Sequence, residues 1–275
     1  MEPTLTPGFE NEIKAFLESI NLKYDYDFRH YSPASMKRTL IQAMKRVGCD
    51  TLSILQEKVL HDSECFYDLI QSLTIPVSEM FRDPTYYRAL REKVIPLLKT
   101  YPSLKVWVAG CSTGEEVYSL AILLQEEELL ERTIIYGTDI NPRGLEKAEK
   151  GLFGLEEIQR SSQNYQKSGG KRSLLDYYTT TSNSVKFNSS LKKNVTFTDH
   201  SLVTDAVFSE TQLISCRNVL IYFDRELQDR VFGLFHESLC RKGFLGLGLQ
   251  ETIQFSQHAK QFDSFVKKDR IFQKK

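Results

Sequence analysis

The sequence predicts an α/β protein in which an all-helical unit precedes a mostly parallel sheet. Three observations carry this. Apolar residues recur at helical spacing up to about residue 75, with no strand pattern among them. From residue 104 a strand, a Gly-rich turn, a helix and a second strand follow one another. Asp139 closes that second strand 25 residues after Gly114.

The helical unit is read first. Phe9, Ile13, Phe16, Leu17 and Ile20 lie on one helical face. Met36, Leu40, Ile41, Met44 and Val47 repeat the pattern; Ser32-Pro33 opens this second helix and Gly48 closes it. Two shorter helices are expected over 53–60 and 63–73.

Lys105-Val-Trp-Val-Ala109 is an apolar strand that runs into Gly110-Cys-Ser-Thr-Gly114, and a helix follows from Glu115 to about Leu130. A strand over 134–138 and a helix over 142–150 complete a βαβ unit, which requires parallel strands and a right-handed crossover. Further strands are expected over 195–198, 212–216 and 244–249, with a helix over 225–240 and a hairpin over 263–273. An antiparallel last strand makes the sheet mixed. The stretch between Gly154 and Asn194 is polar and basic, with short strands expected over 177–181 and 185–187. It reads as a small insertion, the bland alternative being a solvated loop. The expected organisation is a helical domain over 1–75 and a second domain over 76–275, with 155–194 inserted in it.

Composition removes several classes. There are 36 Lys+Arg and 36 Asp+Glu, so the net charge is zero, which argues against a nucleic-acid coat protein. No apolar run approaches the roughly 18 residues of a membrane helix, and the N-terminus lacks a signal pattern. Five cysteines without a C-x-x-C pair argue against a disulfide framework or structural zinc and suit a reducing cytoplasm. No metal is expected.

The glycines at 110 and 114 let the backbone turn tightly beside a ligand, and the helix that follows presents free N–H groups. A carboxylate at Asp139 suits the two hydroxyls of a ribose. No G-x-x-x-x-G-K-[ST] or G-x-G-x-x-G is present. Glu115 and Glu116 open the helix where a diphosphate would need positive surroundings, so S-adenosylmethionine fits better than a dinucleotide. The bland reading is that both glutamates only stabilise the helix N-terminus. Gly110-Cys-Ser-Thr-Gly114 also matches the nucleophile elbow G-x-S-x-G, but no series of strands precedes it, as a hydrolase would require. Arg217 and Asn218 lie at the carboxyl end of a strand, where open α/β sheets bind ligands. Tyr222 either faces that crevice or is an ordinary packed aromatic. Arg82 either caps a helix or offers two donors to a ligand carboxylate.

Four segments together resemble the CheR family, the chemotaxis protein-glutamate O-methyltransferases. They are Ser78-Glu-Met-Phe-Arg-Asp83, Ala109-Gly-Cys-Ser-Thr-Gly-Glu-Glu-Val-Tyr-Ser119, Thr138-Asp-Ile-Asn141 and Cys216-Arg-Asn-Val-Leu-Ile-Tyr-Phe-Asp224. The resemblance runs from about residue 9 to near the end of the chain. It implies a class I S-adenosylmethionine-dependent methyltransferase fold, with a seven-stranded Rossmann-like sheet and an inserted β-subdomain. It implies cofactor contacts from Pro76, Ser78, Arg82, Gly110, Glu115 or Glu116, Asp139, Ser201, Leu202, Arg217, Asn218 and Val219. Of the two glutamates, Glu115 is nearer the turn. Arg82 and Tyr222 are expected to flank the transferred methyl as catalytic residues. Pro76, Ser78, Ser201 and Gly248-Leu-Gln-Glu251 depart from the residues that the family often carries there.

The implied partners are glutamate-rich cytoplasmic helices of chemoreceptors, met by a monomer in the cytoplasm. Residues 28–49 hold five bases and no acid. Arg38 and Lys45 lie on one helical stripe, and with Arg46 they are the expected substrate-binding residues, the alternative being a solvated face. Two other functions stay open: methylation of another protein or small molecule, and a non-catalytic S-adenosylmethionine sensor.

Overall fold

A computed structural model describes residues 8–74, 78–181 and 183–275. Four helices come first: α1 (Phe9–Tyr24), α2 (Pro33–Val47), α3 (Leu52–His61) and α4 (Ser63–Leu73). Their inward faces bury Phe16, Ile20, Leu40, Met44, Val59 and Ile70 completely. The helix ends are written locally. Pro33 sits at the start of α2, where a missing N–H costs nothing. Gly48 ends α2 at φ +68°, and its N–H donates to the Lys45 and Met44 carbonyls. Thr51 and Asp62 cap α3 and α4 by accepting from the N–H groups of Ile54 and Glu64.

Two short helices follow, α5 (Pro84–Ala89) and α6 (Ile95–Leu98), joined by one π-helical turn. The elements after them are β1 (Leu104–Ala109), α7 (Glu115–Glu126), β2 (Thr133–Asp139), α8 (Pro142–Lys150), β3 (Leu152–Gly154) and α9 (Leu155–Lys167). Then come β4 (Tyr178–Thr180), β5 (Ser184–Phe187), α10 (Ser189–Lys192), β6 (Val195–Asp199) and β7 (Thr211–Cys216). The chain ends with α11 (Arg225–Ser238), β8 (Leu239–Leu247), β9 (Phe262–Val266) and β10 (Ile271–Lys274).

Seven strands form one sheet in the order β6-β2-β1-β7-β8-β10-β9. The pairs from β6 across to β8 are parallel, and β10 pairs antiparallel with both β8 and β9. This is the seven-stranded, mostly parallel sheet that the resemblance implies. The chain leaves β1 towards β2 and later returns to β7 on the other side, so the strand order reverses at β1. Ligands of open α/β sheets bind outside the carboxyl ends of the strands at such a point.

Three differences from the sequence reading have local causes. The small antiparallel sheet has the order β3-β5-β4 and takes its first strand from Leu152–Gly154, ahead of residue 155. Helix α9 was not expected: it buries only Ile158, Ser161 and Tyr165, too thin an apolar stripe to stand out. Helix α11 stops at Ser238 and β8 starts at once, so the helical pattern over 225–240 runs two residues past the true end. Glu126 fastens the insertion to α7. Its carboxylate accepts from the hydroxyls of Tyr165 (2.5 Å) and Tyr177 (2.9 Å) and from the Lys171 N–H (3.0 Å), and it also pairs with Arg91.

Candidate active site

A cavity opens at the carboxyl edge of β1, β2 and β7. Its lining includes Ser78, Arg82, Gly110, Glu116, Asp139, Leu202, Arg217, Asn218, Val219 and Tyr222, all expected from the sequence. The floor is the turn after β1. The N–H groups of Gly110 and Cys111 both donate to the Thr138 carbonyl, at 2.8 and 2.9 Å. Gly110 adopts φ +73°, and a Cβ there would lie 2.5 Å from a Val219 methyl. Only glycine meets both demands. Ser112 is also left-handed, at φ +50°, and its N–H donates to Asp139 Oδ2 at 2.8 Å. Asp139 Oδ1 accepts the Asn141 N–H at 2.9 Å. Burial raises the Asp139 pKa, and these backbone donors offset part of that rise.

The two glutamates of α7 part company. Glu115 is 1% exposed and absent from the lining; its Oε1 accepts the Thr113 hydroxyl at 2.5 Å, and burial raises its pKa. Glu116 is the one that lines the cavity. The sequence leaves open which of the two meets the cofactor; Glu115 is nearer the turn, but one helical step of about 100° separates them and points Glu115 into the interior. Glu116 accepts the Ser215 hydroxyl and stands 3.6 Å from Arg217 Nη1.

Arg217 is a buried cation of the site. Its Nη2 donates to the Arg82 carbonyl at 3.0 Å and to Asp83 Oδ2 at 2.7 Å, and its guanidinium lies over the Tyr86 ring at 4.2 Å. Burial opposes its charge, but Glu116 and its other neighbours outweigh that and raise its pKa. Phe81 and Asp83 take left-handed φ values of 52° and 56°. Arg217 therefore holds a strained turn that presents Arg82 to the cavity.

A second strained turn faces the first. Asn218 sits at φ +61°. Behind it lies Glu251, 4% exposed, which accepts four backbone N–H groups. Its Oε2 takes those of Gly248 (2.6 Å) and Asn218 (3.0 Å), and its Oε1 takes those of Val219 (2.9 Å) and Leu220 (2.8 Å). This clamp fixes the segment that carries Asn218, Val219 and Tyr222. Sequence reasoning registered Glu251 only within a departing motif; a lone acid just after a strand was its one signal.

The roof comes from the helical unit, through Tyr31, Leu73 and Thr74. None of these three was expected from the sequence. Asn141 Nδ2 donates to Thr74 Oγ1 at 3.0 Å, and Arg143 pairs with Glu64 and Asp68 of α4 at 2.6 and 2.5 Å. Ser201 does not line the cavity; its hydroxyl accepts the N–H groups of Val203 and Thr204 at 3.2 and 3.3 Å. Pro76 lies outside the described residues. Arg38, Lys45 and Arg46 are exposed on α2 and away from the cavity. Arg46 Nη2 donates to the Asp68 carbonyl (2.8 Å) and to Ser72 Oγ (2.5 Å), so part of that charge is spent fastening α2 to α4. Among the described residues no hydrogen bond joins Ser112 to a histidine, and the lining His200 has its Nε2 3.1 Å from the Ala206 carbonyl. The nucleophile-elbow reading therefore finds no base.

The lining combines a carboxylate for a diol, a carboxylate for an ammonium group, an arginine for a carboxylate and apolar walls at Leu202 and Val219. That donor set fits S-adenosylmethionine. Residues 76–270 match the family model "CheR methyltransferase, SAM binding domain", and residues 11–74 match "CheR methyltransferase, all-alpha domain". The chain is 58% identical over 263 residues to a Pseudomonas putida protein provisionally named methyltransferase Cher3, covering 96% of each. It is 28% identical over 256 residues to the chemotaxis protein methyltransferase of Listeria monocytogenes, covering 90% of this chain and 93% of that one. Against the Salmonella typhimurium protein of the same description the identity is 29% over 237 residues, covering 81% and 76%.

Proposed function

Because this chain belongs to the CheR methyltransferase family, we propose that it methylates glutamate carboxylates of chemoreceptors, leaving glutamate methyl esters and S-adenosylhomocysteine. The observation that carries this reading is the convergence of Arg82, Glu116, Asp139, Asn218 and Tyr222 on one cavity, under a helical unit whose residues 28–49 hold five bases and no acid.

S-adenosylmethionine, when bound, supplies an electrophilic methyl on a sulfonium. The protein's task is to hold its two reactants in line. Both Asp139 oxygens accept backbone N–H groups, and a carboxylate's roughly four acceptor sites leave capacity for a ribose hydroxyl. Glu116 suits the ammonium group, and Arg82 the carboxylate or the incoming substrate. A glutamate substrate is already ionised near pH 7, so no strong base is needed and catalysis is mainly positioning. Tyr222 stands where it can orient the substrate carboxylate.

Wild-type protein given labelled S-adenosylmethionine and receptor-bearing membranes should place a base-labile methyl label on the receptor. Tyr222→Phe and Arg82→Ala should each lower kcat about 10–100-fold with the fold intact. If wild-type protein leaves no base-labile label, the glutamate assignment is wrong. Wild-type rates in both variants would remove these residues from the mechanism.

The exposed Arg38 and Lys45 suit an acidic helical partner by long-range steering. Reversing both charges should raise KM for the receptor about tenfold, with kcat and cofactor affinity unchanged. A fall in cofactor affinity instead would mark the stripe as structural.

A further inference from the structure

The segment between α1 and α2 reaches the active site. Tyr31 lines the same cavity as Asp139 and Tyr222. Its ring is gripped edge-on by Phe28 and Phe223, with both centroids 5.0 Å away. Tyr31 and Phe223 also form an antiparallel bridge. On either side, the Ser32 N–H donates to the Tyr222 carbonyl at 2.7 Å and the Asp224 N–H donates to the His30 carbonyl at 2.9 Å. His30 Nδ1 stands 3.1 Å from Asp224 Oδ2. The backbone of Tyr222 is thus bonded to the residue just before α2.

We propose that Tyr31 is a cofactor-contacting residue supplied by the helical unit, and that the bridge carrying it lets cofactor occupancy fix the start of α2. Burial raises the Tyr31 pKa, and the charge of Asp139 adds to that rise, so the hydroxyl stays protonated as a donor. Contact with Tyr31 then draws on both units at once, and ordering residues 30–32 orders the N-terminal turn of α2 with them. A ligand couples to a distant face only through such a differential contact. The inference rests on the cofactor cavity and not on the receptor as substrate.

S-adenosylhomocysteine is the probe, used with the full chain and no receptor. Calorimetric titration of Tyr31→Ala should show about a tenfold weaker Kd than wild type, with Tyr31→Phe in between, as for an aromatic truncated in a pocket. Hydrogen exchange on the wild-type protein should slow on ligand addition at residues 28–36 as well as at 219–224. Wild-type affinity in both variants would overturn the contact, and protection confined to the sheet edge would overturn the coupling. Should Tyr31→Ala fail to fold, Tyr31→Phe and the exchange experiment still decide. Failure of wild-type protein to bind the probe would strike the cavity reading itself, a result distinct from either.

Discussion

Glu251→Ala should destabilise the protein by about 3–5 kcal/mol and lower methyl transfer at least about 100-fold. Four backbone N–H groups lose their acceptor at once. Each unsatisfied buried group costs roughly 1–3 kcal/mol, and the costs do not add fully because the turn relaxes. Relaxation is what harms function, since Asn218 would leave its left-handed conformation and take Val219 and Tyr222 with it. Glu251→Gln keeps one acceptor oxygen and should fall between the two. Denaturant unfolding gives the stability loss; titration with S-adenosylhomocysteine and a transfer assay give the rest. Near-wild-type values in both variants would show that the turn holds itself.

Arg217→Leu should cost about 2–4 kcal/mol, because it leaves the half-buried Glu116 and Asp83 beside a vanished charge and removes the buried guanidinium's packing on Tyr86. It also frees the turn at residues 81–83, so affinity for S-adenosylhomocysteine should fall at least about 100-fold. Arg217→Lys keeps the charge but cannot serve the Arg82 carbonyl, Asp83 and Glu116 together. It should recover stability better than affinity. A lysine variant equal to wild type in both would reduce Arg217 to a counter-charge.

Much of this was legible because the signals are local. Helix α2 announces itself through Pro33, Gly48 and a regular apolar face. The turn after β1 is marked by glycines that the close approach of Val219 requires. What escaped depends on other parts of the chain. Which glutamate of α7 faces the cavity depends on the helix phase relative to β7, where Ser215 and Arg217 wait. Helix α9 is stabilised through Tyr165 against Glu126, a partner 39 positions earlier. Glu251 and Tyr31 matter through backbone groups on distant segments, and no spacing rule reports such pairs.

The bridge at Tyr31 also governs when the site can exist. His30 and Asp224 are 194 positions apart in the chain, and the floor needs Glu251 as well. Contacts this remote close slowly, because the loop entropy is lost before the contact repays it. A chain emerging from the ribosome can build its first four helices and the β1–α7–β2 unit early, each from neighbours in sequence. The N–H groups of residues 218–220 gain their carboxylate acceptor only once residue 251 is free to reach them. The site is thus expected to form only near the end of synthesis, and a chain broken off before that residue should carry the recognisable motifs without the activity.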